Sequence, residues 1–459
     1  MIVIPVPAEA GAGKTIEKKT VPPCAMLTQN KSPVSILRLA YTFLLYLLAP
    51  LVLIRLAWRG LRAPAYLRRW PERFGFIEPP LGEHVIWLHA VSVGEVQAAM
   101  PVIRALLERY PAYSILVTTV TPTGSEHVTS LFGDDIAHIY APYDLPGAVS
   151  RFYDRVKPRM AIVMETELWP NLFRSCRRHD IPLLLVNARL SEKSARNYRR
   201  VGQLVARTLA NVSWIAAQSE QDAERLVRLG ADPDRVTVSG NLKFEQRIPP
   251  SLVERAQVLR RDWGVDRPVL IAASTHEGED TLLLDAFREV RRELENCLLV
   301  LVPRHPERFD SVADLCRNHG LTVVMRSERN PCTADTQVFV GDSMGELLQF
   351  YAASDVAFVG GSLVRHGGHN LLEPAAIGMP VLTGPHTFNF TDINRLLVSV
   401  GACEQVDSPA RLARAAIQLL RDASLRHEIG ERGRLAVERN RGALQTVMGM
   451  IEEQLKNTD

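Results

Sequence analysis

The chain has 459 residues, 46% of them hydrophobic and 23% charged, with a formal net charge of +3. That composition belongs to a folded protein long enough for two or more cores, which excludes a mainly disordered chain. Six cysteines (Cys24, Cys176, Cys297, Cys316, Cys332 and Cys403) fall at irregular spacing without a CxxC pair, which excludes a disulfide framework or a structural zinc site and fits a reducing compartment.

In chain order, residues 1–33 read as a disordered extension, with Met26 as an alternative start. Ala8 to Thr15 (AEAGAGKT) fits a relaxed phosphate-loop pattern after a strand-like run. The IEKKTVPPC that follows carries two prolines and no apolar face, so the helix that would cradle phosphates is missing and no nucleotide site is expected there.

Residues 34–58 read as a membrane-anchor helix. From Leu39 to Ile54 sixteen residues carry no charge, between Arg38 and Arg55, with Trp58 following. A helix of that core is ~24 Å long against ~30 Å of hydrocarbon, so a shallow span and a helix lying in the interface are both open, with a buried core helix as the plain alternative. Residues 38–73 hold seven arginines against Glu72, a local charge of +6; with +2 on residues 1–37, everything after residue 73 sums to −5. A mildly acidic body excludes a nucleic-acid binder. No small-residue cleavage site follows the apolar run, and the arginines behind it oppose export, so the folded body is expected in the cytoplasm, with the arginines near anionic head groups or a phosphorylated lipid, or simply solvated.

Beyond Glu83, short apolar runs alternate with helical patterns: VIWLHA, SILVTTV, AIVMETE, PLLLVNAR, WIAAQSE and VTVSGN, then, after a restart at Pro268, VLIAAS, CLLVLVPR, LTVVMRS, TQVFVGD, VAFVGGS and PVLTGP. Such runs are buried parallel strands, so the fold class is α/β with two facing Rossmann-like doubly wound domains, 59–246 and 247–459, the second ending in a charged closing helix. Ligands are expected at the carboxyl ends of the strands, in the cleft between the halves.

Candidate residues sit at those ends. Glu95 opens the helix after the first strand, where an acid serves either the helix dipole, which would favour its ionised form, or proton abstraction. Glu165 and Glu167, in ETELWPN, point the same way if that piece is extended, with Pro170 starting a helix. Ser274, Thr275 and His276 form a polar helix entry suited to phosphate or to plain capping. Gly361 and Ser362, then Gly367 to Glu373, let backbone approach a ligand, with Glu373 placed to accept from a ribose diol. His366 and His369 read as hydrogen-bonding residues; no metal and no cofactor are expected.

The ordered series RWPERFG, HAVSVGE, ETELWPN, NARLS, GNLKF, ASTHEGE, PRHPERF, GDSMGEL and VGGSLVRHGGHNLLEPAAIGMPVLTGPH, behind an apolar anchor, resembles the bacterial 3-deoxy-D-manno-octulosonic acid (Kdo) transferases from about residue 36 to 441. The resemblance implies a GT-B enzyme of lipopolysaccharide biosynthesis that uses CMP-Kdo, inverts, needs no metal and acts on a lipid A precursor. It assigns residues 59–246 to the acceptor and 247–459 to CMP-Kdo, makes Glu95 the base, and puts Glu165 and Glu167 on the acceptor side. Lys243 and Arg304 become donor-side cations, and Ser274, Thr275, His276, Gly361, Ser362, Asn370 and Glu373 hold the CMP moiety. A sugar-nucleotide 2-epimerase or a transferase of UDP-sugars shares the paired halves but lacks the anchor, HAVSVGE and ETELWPN; a membrane-tethered scaffold has no reason to keep acids and glycines at both sheet edges.

Overall fold

A computed structural model describes residues 36–62, 66–78, 82, 84–245 and 248–456. The phosphate-loop pattern and the rest of the 1–33 extension lie outside the described residues. The first half contains strands β1 (Val85–His89), β2 (Ser114–Thr119), β3 (Ala137–Tyr140), β4 (Pro158–Met164), β5 (Leu183–Ala188), β6 (Trp214–Ala217) and β7 (Val236–Val238). The second contains β8 (Val269–Thr275), β9 (Leu298–Pro303), β10 (Val323–Met325), β11 (Val338–Val340), β12 (Val356–Val359), β13 (Val381–Thr383) and β14 (Cys403–Gln405).

Among the described residues these form two parallel sheets, ordered β3-β2-β1-β4-β5-β6-β7 and β10-β11-β9-β8-β12-β13-β14. The strands lack polar alternation because helices cover both faces. On β1, Ile86 and Leu88 enter one core with Val102, Ile103 and Leu106, while Val85 and Trp87 enter the other with Phe152, Leu172 and Phe173. Two strands have no counterpart among the apolar runs, β3 and β14, and each is the outermost strand of its sheet.

The topology fixes where ligands can reach. β1 lies between β2 and β4, and β8 between β9 and β12, so in each sheet the chain leaves its central strand to one side and returns on the other. A crevice opens at the carboxyl ends where the direction switches. The loops after β1 and β4 meet at the first crevice, those after β8 and β12 at the second.

Two further elements flank the sheets. Helix α1 (Ile36–Arg62) extends past the expected 34–58 anchor. The closing helix Ala443–Lys456 crosses back to the first half, where Ala443, Val447, Met448, Ile451 and Leu455 enter its core. The carboxylate of Glu245, beside the interdomain connection, accepts from the backbone N–H groups of Gly442 at 2.7 Å and Leu444 at 3.2 Å, capping that helix where the two crossings run together. Residues 443–456 therefore complete the first domain although they follow the second in sequence.

Candidate active site

At the first crevice, helix α2 (Val93–Arg109) begins at Ser92, whose extended backbone and side chain cap it. The Ser92 hydroxyl accepts from Glu95 N–H at 3.4 Å and donates to Glu95 Oε1 at 3.1 Å; Val91 N–H donates to Oε2 at 2.7 Å. Glu95 is thus locked in one orientation and is 7% exposed. Burial raises its pKa to about 8, against the lowering effect of the Val91 N–H, with Glu167 and Glu165 adding to the rise. Desolvation of the charged form thus opposes the ionisation that the helix dipole was expected to favour.

The loop after β4 is not extended. Glu165 has φ +53°, a left-handed turn, so strand alternation does not set the directions of Glu165 and Glu167, although both carboxylates lie close enough to Glu95 to raise its pKa. Glu165 Oε1 lies 3.9 Å from Lys243 Nζ, and Glu167 Oε2 accepts from Trp169 Nε1 at 2.9 Å. Thr166 donates to the Arg189 carbonyl. Pro170 starts the helix Pro170–Arg178, as its position implied. Beneath this loop the Trp169 ring packs edge-on against His89, ring centroids 4.9 Å apart. Burial lowers His89 to about 4, and its Nδ1 is 2.8 Å from Thr118 Oγ1.

Lys243 reaches this cluster from GNLKF. Asn187, in NARLS, accepts from Leu242 N–H at 3.0 Å and so anchors the turn that presents the lysine. Burial lowers the pKa of Lys243, while Glu165, Glu95 and Asp392 hold its charge in place and Arg189 opposes it. Its Nζ lies 5.8 Å from the centre of the Phe390 ring. Phe390 and Asp392 belong to the second domain, so Lys243 spans the cleft.

At the second crevice, Glu279 opens the helix Glu279–Glu293 and is completely buried. Its carboxylate accepts from the N–H groups of Gly361 (2.7 Å), Ser362 (3.0 Å), Leu363 (2.9 Å) and His276 (3.3 Å). A Cβ at Gly360 would come within 2.7 Å of Glu279 Oε2, which is why glycine stands there. Ser362 is fully buried, its hydroxyl donating to the Val359 carbonyl at 2.6 Å and accepting from Gly384 N–H at 2.8 Å. Thr275 is equally buried and donates to Asp280 Oδ1 at 2.6 Å. Ser362 and Thr275 therefore act through the wall they build, their own polar atoms being committed within it.

Ser274 sits just above, in a left-handed turn at φ +57°. His276 Nε2 and His369 Nε2 are 2.8 Å apart, so one ring donates and the other accepts. The His366 ring stacks on His276 at 4.0 Å. Burial lowers His276 to about 4 and His369 to about 3, and Arg304 contributes to both shifts. Arg304 also lowers the pKa of His127, on the first domain, after the larger effect of burial. Asn370 accepts from Leu372 N–H at 3.1 Å and donates to Glu373 Oε1 at 3.0 Å, which fixes that carboxylate at the start of its helix.

The structure brings Glu95, Glu165, Glu167 and Lys243 together at one crevice, and Ser274, His276, Gly361, Asn370 and Glu373 around the other, with Arg304 between the domains. Sequence reasoning passed over Ser92, Asn187, Glu279, His127 and Asp392. Ser92 and Glu95 carried a readable signal, a capping serine three residues before a glutamate; the others depend on contacts distant in sequence.

Residues 68–246 match the family model described as 3-deoxy-D-manno-octulosonic-acid transferase (kdotransferase), and residues 272–436 match that of glycosyl transferases group 1. The chain is 44% identical to the 3-deoxy-D-manno-octulosonic acid transferase of Haemophilus influenzae over 91% of its own length and 99% of the relative's. It is 38% identical to that of Bordetella pertussis, over 90% and 99%. Among solved structures, the UDP-GlcNAc 2-epimerase of Neisseria meningitidis superposes with a TM-score of 0.53 at 15% identity, covering 81% of this chain and all of that one. At that identity the likeness concerns the two-domain fold alone.

Proposed function

The chain belongs to the 3-deoxy-D-manno-octulosonic acid transferases, glycosyltransferases of lipopolysaccharide biosynthesis, and we propose that it moves Kdo from CMP-Kdo onto the lipid A precursor lipid IVA with inversion, Glu95 acting as general base. The observation that carries this reading is the fixed, buried Glu95 carboxylate at the first crevice, facing a cleft whose opposite wall bears Ser274, His276 and Glu373.

The anomeric carbon of Kdo already bears a carboxylate, and its leaving group is a single phosphate. Lys243 and Arg304 supply positive charge for those two anions from either side of the cleft, in a partly dehydrated site where such charge acts strongly. Glu95 takes the proton of the acceptor hydroxyl as that oxygen attacks from the face opposite the departing phosphate. Its raised pKa suits it to hold the proton it receives, and approach of Lys243 favours the ionised form that must precede attack. Glu165 and Glu167 belong to the acceptor side, Glu165 by steering Lys243 and Glu167 by fixing Trp169. Asn370 and Glu373 hold the ribose, and the His276–His369 pair and the Ser274 turn face the phosphate. The catalytic domains work at the cytoplasmic face of the inner membrane, where both substrates meet.

The test is incubation of detergent-solubilised protein with CMP-Kdo generated in situ and lipid IVA in the presence of EDTA, with mass spectrometry of the lipid. One or more added Kdo masses are expected, and none with Glu95→Ala. An unchanged lipid from folded, CMP-binding protein would move the assignment to another acceptor or donor.

A further inference from the structure

Helix α1 is apolar all round in sequence, yet its burial is one-sided. Arg38, Tyr41, Thr42, Leu45, Ala49 and Leu56 are its half-buried side chains. At ~100° per residue these positions fall within one stripe about 100° wide that runs most of the helix length. The most exposed residues, among them Ile36 (82%), Phe43 (71%), Ile54 (66%) and Trp58 (54%), lie on the opposite side.

The shielded stripe is held by polar contacts. Tyr41 donates to Asp144 Oδ2 at 2.9 Å, and the same carboxylate accepts from the backbone N–H groups of Asn171 (3.0 Å) and Leu172 (2.7 Å) at the start of the helix Pro170–Arg178. Thr42 and Asn171 exchange hydrogen bonds at 3.3 to 3.4 Å, and the Tyr46 hydroxyl lies beside Gly147. A spanning helix meets lipid on all sides at mid-depth. Here the hydrogen bonds lie in the second turn and the shielded stripe continues through Ala49 to Leu56, so most of the helix length, its middle included, runs along a hydrated domain that hydrocarbon would not admit.

Charge marks the level at which the outer face ends. Burial lowers the pKa of Arg38 and of Arg174, Arg178 lies close enough to add to both and Arg38 adds to that of Arg174, Arg174 Nε is buried without a hydrogen-bond partner, and among the described residues none of the three is paired with a carboxylate. Such a cluster fits the phosphates of lipid head groups. We propose that α1 is an in-plane, monotopic helix: its outer face is sunk in one leaflet, its inner face is bonded to the first domain, and both of its ends lie on the side of the catalytic domains. The proposal rests on the membrane reading above and settles its geometry. Because Asp144 joins α1 to the helix Pro170–Arg178, which begins within ETELWPN, the leaflet surface then lies beside the acceptor crevice.

The test uses the full chain carrying Ser32→Cys, ahead of the helix, in a Cys24→Ser, Cys332→Ser background, with Met344→Cys, exposed on the second domain, as the side marker. A membrane-impermeant maleimide is applied to inverted inner-membrane vesicles and to right-side-out spheroplasts. Labelling of both cysteines in the inverted vesicles, and of neither in spheroplasts, is expected. Ser32→Cys labelled only in spheroplasts would establish a span and overturn the proposal while leaving membrane attachment intact, and protein that does not sediment with the vesicles would overturn both. Spin labels at Phe43, Leu47 and Ile54 give a second readout: one common depth is expected, whereas a spread approaching ~16 Å, eleven residues of helical rise, contradicts an in-plane helix.

Discussion

Glu95 and Glu279 occupy matching places in the two domains: each lies in the first turn of the helix that follows the central strand, each is buried, and in each burial raises the pKa. They differ in who satisfies them. Glu279 takes four backbone N–H groups, three of them from the glycine loop across the crevice, and has been turned into a structural post. Glu95 takes one backbone N–H and one hydroxyl, both from its own turn, and keeps lone pairs for something not yet there. The same topological position serves chemistry when its acceptors are left open and architecture when they are filled.

The comparison breaks most visibly under alanine. Glu95→Ala is expected to lower transfer by about 10³-fold while CMP still binds and the thermal transition is intact, read by lipid mass spectrometry and calorimetry. Glu279→Ala should do the reverse, leaving buried N–H groups unpaired, costing about 3 kcal/mol in the second domain and weakening CMP binding before it touches the chemical step. Full transfer by Glu95→Ala, or normal CMP affinity in Glu279→Ala, would dissolve the contrast.

A pH series sharpens it. The unfolded chain ionises Glu95 near 4.5 and the folded one near 8, so the fold is penalised increasingly as pH climbs between those values. Glu95→Gln should therefore be more stable than the parent by about 3 kcal/mol at pH 7, with the gain vanishing towards pH 4.5; chemical denaturation at several pH values reads it directly. The smallest effect is expected at the cap: Ser92→Ala should cost about 1 kcal/mol and release one oxygen of Glu95, shifting the rising limb of the pH–rate profile without abolishing transfer.

The pattern of these contacts explains what could be read from the residues alone. Central strands such as β1 and β8 announce themselves because both faces must be apolar. The edge strands β3 (AHIY) and β14 (CEQ) are covered on fewer sides and carry polar residues, so their short runs merge with loops. Glu95 was legible as a candidate because its partners lie within four residues. The environment of Glu279 was not, since Gly361 to Leu363 are more than eighty positions away, and the turn at Glu165 was read as extended because a left-handed φ leaves no mark in composition. Ser362 and Thr275 looked like ligand-facing hydroxyls; only packing reveals that both are spent within the wall.

The closing helix also sets the order of assembly. Val447, Met448, Ile451 and Leu455 finish a core begun at Ile86, so the domain holding Glu95 cannot be completed until the helix Ala443–Lys456 has left the ribosome. While the second domain folds on the nascent polypeptide, the first must wait with part of its apolar surface uncovered, and a truncation that removes residues 443–456 would damage the half of the protein synthesised first.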